Sequence, residues 1–98
     1  MIGDITAQDR AQSLRHAEQK LQASLLALET YDLRHAGTTL SAAQQSDRRL
    51  MVDVAAQICW EYVVQREMSG AISQREVRER YHVPAEVWNR MGASPRPE

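Results

Sequence analysis

Two carboxylate-x-x-His pairs, Asp32/His35 and Glu79/His82, are the residues of this chain whose types and spacing come nearest to metal chemistry. Residues three apart share a helix face, and such pairs, projecting into a bundle core beside two further Glu, build di-iron sites. Thirteen acids and three His in 98 positions give roughly 0.4 such pairs by chance. Two pairs are therefore a weak excess, and both fall at the ends of expected helices, where a core site has little to enclose it. His16 falls on the solvated side of the first helix. Cys59 faces an apolar wall with no basic neighbour to lower its pKa, so it reads as a small buried hydrophobe rather than a nucleophile. No nucleophile with a sequence-level partner, no Gly-rich phosphate loop and no zinc-ligand spacing is present. The expectation is no catalytic residue, no metal ligand, no cofactor and no enzymatic activity.

The segment Gln65-Arg66-Glu67 is the other polar cluster. Successive helical residues point about 100° apart, so these three side chains cannot converge on one substrate atom. Glu67 lies in the last turn of a helix, where the dipole disfavours an unpaired anion by a few tenths of a kcal/mol, on the order of ~0.3. Arg75, Arg78, Arg80 and Arg90 all follow within reach. Arg66 and Glu67 are thus expected to make ion pairs that fasten a C-terminal hairpin to the preceding helix.

The elements that would position these groups are helical. Glycine and proline total seven, and two of the prolines stand in the last four residues, so little breaks the chain. Leu14, Leu21 and Leu28 recur every seven residues, with Ala17, Leu25 and Tyr31 on the same face, a coiled-coil-like stripe that Leu26 and Leu33 widen. Helix 1 is expected over about 6–36 and ends before Gly37, which suits a left-handed position. Thr38, Thr39 or Ser41 can cap helix 2, over about 40–69. From Leu50 to Val64 helix 2 is apolar nearly all round, with a thin polar stripe of Asp53, Gln57, Glu61 and Gln65, and must be covered from more than one side. Ser73 with Glu76 fits a capping box, and Ile72 with Val77 the hydrophobic staple around it. Two short helices follow, about 74–81 and 84–91, with Pro84 at the first helical position of the second. Val77, Tyr81, Val83, Val87 and Met91 give this hairpin one apolar face, to be packed on the distal half of helix 2. Residues 1–92 form one domain, and 93–98 read as a disordered tail.

Twelve basic residues stand against thirteen acidic ones. Residues 1–36 carry four basic and five acidic groups, 37–69 three and four, 70–93 four and three, so no segment offers nucleic acid or anionic lipid an electrostatic footprint. One cysteine fits a reducing compartment. No apolar run approaches the ~18 residues of a membrane span, and no signal-peptide core is present, so a cytoplasmic protein without a membrane segment is expected.

Residues 73–91 nonetheless have the outline of a helix-turn-helix, a capped short helix, a turn before Val83 and a second helix ending in Asn89-Arg90. Arg78 stands where such motifs carry a small residue, His82 where they often carry Gly, and Val83 and Val87 are four apart rather than five. A DNA-associated regulator using this segment is the alternative reading, against the near-neutral charge.

The spacing W-x-x-V-V-Q-R-E-x-x-G, here Trp60, Val63, Val64, Gln65, Arg66, Glu67 and Gly70, is followed by Y-x-V-P-x-E-V-x-x-R-M-G, here Tyr81, Val83, Pro84, Glu86, Val87, Arg90, Met91 and Gly92. It resembles a family of α-proteobacterial proteins of about a hundred residues and unknown function. Met68-Ser69 and Ser73-Gln74 depart from that pattern. The resemblance implies a helical fold and a bacterial cytosolic setting, and brings no activity with it.

The sequence therefore predicts an all-α protein, a long antiparallel helical hairpin with two short C-terminal helices. Alone, it would leave apolar surface on both long helices open. A homodimer joining two hairpins into a four-helix bundle would cover it, so a non-enzymatic interaction or structural module is expected, with an unidentified protein as a further partner. Leu14, Leu21, Leu25, Leu28, Val54, Ile58, Trp60, Tyr62, Val64 and Trp88 are the expected packing and interface residues. Arg66, Glu67, Ser73 and Glu76 are the expected tether.

Overall fold

Leu14, Leu21 and Leu28 do wind one long helix, α1 (Ala7–Arg34), which at 1.5 Å per residue is about 42 Å long. The computed structural model describes residues 7–70 and 73–93. Among these, α2 (Ala42–Met68), α3 (Gln74–Arg80) and α4 (Ala85–Ala93) follow, and no strand occurs. The protein is an all-α fold in which α1 and α2 run as an antiparallel hairpin and both α1 and α4 pack on α2.

Each helix stops or starts for a local reason, and some boundaries differ from the sequence expectation. α1 ends two residues earlier than expected, because the His35 ring takes up the Tyr31 carbonyl at 2.8 Å and the Thr38 hydroxyl donates to the His35 carbonyl at 2.8 Å. Gly37, at φ +81°, then reverses the chain. Of the three capping candidates for α2, Ser41 is the one used. Its hydroxyl accepts from the Gln44 N–H, and the Gln44 side chain accepts from the Ser41 N–H at 2.9 Å. The Ser73/Glu76 capping box forms as expected. Ile72, its staple partner, lies outside the described residues.

α3 closes in a Schellman motif. The Val83 N–H donates to the Arg78 carbonyl at 3.1 Å and the His82 N–H to the Glu79 carbonyl at 3.3 Å, with His82 left-handed at φ 50°. Pro84 is not the first residue of α4. The Trp88 N–H donates to the Pro84 carbonyl at 2.9 Å, which makes Pro84 the cap and Ala85 the first helical residue. α4 runs on through Gly92 to Ala93, so residue 93 is helical rather than tail, and the rest of the expected tail, 94–98, lies outside the described residues.

The core is a single cluster drawn from all four helices. α1 contributes Ala17, Leu21 and Leu28, and α2 contributes Val52, Ala55, Ala56, Cys59, Tyr62 and Val63. Val77, Val83, Val87 and Met91 cover it from the C-terminal hairpin, as their spacing predicts. The inner arc of α2 is rich in small side chains, which leaves room for leucines from α1 on one side and for Val87 and Met91 of α4 on the other. Leu21 and Val87 are fully buried. Each large side chain taken from water contributes up to about 1.5–3 kcal/mol.

Candidate functional site

α2 shows its neighbours one arc and solvent another. Leu50, Val54, Trp60 and Met68 are 62%, 47%, 49% and 82% exposed, and Gln57 and Glu61 stand between them, hydrogen-bonded to each other at 3.0 Å. The expected polar stripe of α2 is thus divided. Asp53 is taken by Arg90 at 2.6 Å, Gln65 is half-buried, Glu61 and Gln65 both border α1 beside His16 and Lys20, and Gln57 and Glu61 stand exposed. Two further leucines, Leu26 and Leu33 of α1, are open at 61% and 70%.

On the opposite side of the molecule, α1 and the α3–α4 turn enclose a groove of about 790 Å³. Leu25, Leu26 and Leu33 line it from α1, and Arg80, His82 and Pro84 from the turn. Two polar bridges cross it. Arg48 of α2 holds Asp32 of α1 at 2.7 and 2.9 Å and Glu86 of α4 at 2.8 and 3.0 Å, a bidentate grip on each carboxylate. The Arg48 guanidinium holds the Asp32 carboxyl below its ordinary range, and the two carboxylates raise Arg48 further above its own. At the other bridge the Tyr81 hydroxyl meets the Glu18 carboxylate at 2.5 Å and the Tyr62 hydroxyl at 2.9 Å. A phenol has one proton and a carboxylate only accepts. Tyr81 therefore donates to Glu18, and Tyr62 donates to Tyr81. Burial, then the Glu18 and Tyr62 bonds, push the Tyr81 phenol up.

The expected tether takes a different form. Among the described residues neither Arg66 nor Glu67 forms an ion pair. Arg66 lies on the inner arc of α2, its guanidinium 5.9 Å from the Tyr62 ring centre, with Nε buried and unpartnered. Glu67 accepts from the Gln74 amide at 3.0 Å. The hairpin is instead fastened through Arg48–Glu86 and Arg90–Asp53, at the second and sixth residues of α4. Ser73 and Glu76 cap α3 and do nothing across elements.

Of the expected packing residues, Leu21, Leu28 and Tyr62 are buried, and Leu14, Leu25, Ile58 and Trp88 are half-buried against the core. Val54 and Trp60 stand open, with Val64 half-buried beside them. Glu18, Arg48 and Glu86 are the bridging residues that sequence reasoning missed. Arg48 had a signal, since it precedes Val52, Ala55 and Cys59 by four, seven and eleven residues and so shares their inner face.

The carboxylate/His pairs stay apart from one another. Asp32 is engaged by Arg48, His35 stacks on Tyr31 with ring centres 4.2 Å apart, and Glu79 pairs with Arg75 at 3.3 Å. Among the described residues no three metal-capable side chains converge. Cys59 is fully buried, and desolvation pushes its thiol up to about 11. Among the described residues no helix is long and apolar enough to cross a membrane. In the helix-turn-helix outline, Arg78 lies over the Trp88 ring at 5.7 Å, and Glu86 and Arg90 turn back to α2.

A protein family described only as a family of unknown function (DUF6665) matches residues 2–98. The chain belongs to this family. No curated protein and no solved structure matches it. The match covers nearly the whole chain, α1 included, and the family's description names no reaction.

Proposed function

We propose that this protein is a non-enzymatic helical interaction module that works as a homodimer in the cytoplasm. The observation that carries this reading is the open apolar surface on the two long helices, above all Leu50, Val54, Trp60 and Met68 of α2. Single chains rarely leave large apolar side chains grouped along one face, and an isologous contact is the commonest way to cover them. The polar groups beside the groove are already satisfied by one another, as in the Arg48 and Tyr81 bridges, so they serve to hold elements together. Size-exclusion chromatography with light scattering tests the reading: a mass near twice 11.2 kDa is expected, and a concentration-independent monomer would refute it.

One observation keeps the DNA-associated reading in view. His82 takes the left-handed turn that helix-turn-helix motifs give to Gly. Against it, the charged groups that α4 offers, Glu86 and Arg90, are each already held by a partner on α2, Arg48 and Asp53. Salt-dependent binding to duplex DNA, lost in Arg78→Ala, would support that reading over a purely structural hairpin; equal, negligible binding of both proteins would remove it.

A further inference from the structure

Leu50, Val54, Gln57, Glu61 and Met68 of α2 are open and Val64 is half-buried; together they are spaced at 50, 54, 57, 61, 64 and 68, alternating steps of four and three. That is the repeat of a coiled-coil seam. The residues normally outermost in such a repeat, Val52, Cys59 and Arg66, are the ones turned into this protein's own core. α2 therefore carries two stripes back to back, one used within the chain and one unused.

The unused stripe is complementary to itself. A two-fold axis through the level of Cys59 pairs residue 59 + x with residue 59 − x of a second, antiparallel copy. Leu50 then meets the partner's Met68, Val54 the partner's Val64, and Gln57 the partner's Glu61, each pair occurring twice. Apolar faces apolar in the outer layers, and an amide donor faces a carboxylate acceptor in the central ones. A parallel pairing in register would set Glu61 against Glu61 across the seam, with like charges a few ångströms apart. Trp60 flanks the seam beside the axis, facing its own symmetry mate, and Ile58 does so on the other flank. Because α1 lies along the Met51, Ile58 and Gln65 side of α2, both α1 helices fall on the same side of the seam.

We infer that α2 forms an antiparallel, two-fold seam with α2 of a second copy of this chain, in the register that pairs Gln57 with Glu61. The inference rests on the homodimer reading above and adds the face, direction and register. The seam from Leu50 to Met68 is about 27 Å long and, at a helix width of about 10 Å, covers about 270 Å² in projection on each partner. Accessible area exceeds this projection because side chains also lose their flanks, but the two-sided projection of about 540 Å² marks an interface smaller than the specific ones that start at about 1,200 Å², as fits weak association. The central polar layers fix register at the expense of affinity. A dissociation constant on the order of 10 μM is expected.

Sedimentation of the full-length protein over a range from about 1 to about 500 μM, with disulfide trapping, tests each part. Val54→Cys mixed with Val64→Cys is expected to cross-link on oxidation, whereas Val54→Cys alone, which would trap a parallel pair, is not. The wild type, whose Cys59 is buried, is the control. Val54→Glu, at an exposed position that leaves the monomer's circular dichroism unchanged, is expected to weaken dimerisation at least about tenfold, and Leu26→Glu with Leu33→Glu to leave it unaltered. Trp60 emission shifts to the blue as the dimer forms. A dimer that traps Val54→Cys with itself, or that survives Val54→Glu and is broken by the α1 substitutions, overturns the seam and leaves self-association standing. A monomer at every concentration overturns both.

Discussion

Replacing Tyr81 by Phe is the sharpest test of how the groove is held. The hydroxyl of Tyr81 donates to Glu18 and accepts from Tyr62, and Tyr62 is 1% exposed. Tyr81→Phe removes a charge-assisted bond worth about 1.5 kcal/mol, since half-buried Glu18 regains water, and strands the Tyr62 hydroxyl in the core at a further cost of about 1–2 kcal/mol. The sum is about 3 kcal/mol. Tyr62→Phe loses only one neutral hydrogen bond, about 1 kcal/mol, because Tyr81 keeps its donor on Glu18. The double variant lacks the stranded hydroxyl, so it is expected to lose no more than Tyr81→Phe alone rather than the additive 4 kcal/mol, about 3. Thermal melts at fixed protein concentration read this directly, at about 4–8 °C per kcal/mol for a domain this size. Tyr81→Phe should fall by at least about 10 °C, Tyr62→Phe by about 5 °C. If Tyr62→Phe proves as damaging as Tyr81→Phe, or if the two losses add, the assigned direction of proton donation is wrong.

Arg48→Met, which keeps the side chain's apolar stem, should lose about 1–2 kcal/mol, because two partly exposed bidentate pairs are each worth up to about 1 kcal/mol; the loss should shrink between low and high salt, and a salt-independent loss would point to packing instead. Cys59 gives an alkaline signature. Its thiol titrates near 9 when unfolded and about 11 in the fold, so between those values the unfolded chain releases a proton that the native one keeps, and stability falls as pH rises. Denaturant titrations from pH 7 to 11 should show a drop approaching about 3 kcal/mol that is missing from Cys59→Ala, whose own baseline is lower. His82→Gly should raise the melting temperature by about 4 °C, since it relieves a left-handed non-glycine at a helix end; a fall would show that the imidazole makes a contact worth more than that strain.

The parts of this fold legible in the sequence are those decided within one turn of chain. Ser73 and Glu76 are three apart and can only meet if a helix starts there, and they do meet. Leu14, Leu21 and Leu28 report a helix face whatever lies opposite. Where three local devices competed, the reading stayed open: Thr38, Thr39 and Ser41 all can cap, and only Gln44, placed to reciprocate, selects Ser41. Pro84 was placed one position too far into its helix, because proline's φ suits the cap as well as the first turn. The tether failed for a different reason. Ion pairs are tertiary, and the expectation treated Arg66 as a surface group. Its position seven after Cys59 and fourteen after Val52 sets it on the buried arc, where it covers Tyr62 and no carboxylate reaches it. A polar residue on an apolar line, Arg48, was the signal for an inter-element contact.

The interrupted stripe on α2 has a physical logic that a fully apolar one would lack. Six leucine-like residues in its place would associate in any register, parallel or antiparallel, and would make the lone chain prone to aggregate. Gln57 and Glu61 in the middle divide the exposed surface into two smaller apolar patches, each tolerable in water when the chain is alone. Within the chain they hydrogen-bond to each other, and in the proposed register each would meet the other's counterpart in the second copy. The same division limits how tightly two copies can hold, so the state of the protein would follow its concentration. The groove beside the α3–α4 turn lies on the opposite side of α2, closed over by Arg48 and Tyr81, and pairing through the stripe leaves it as it is in the single chain.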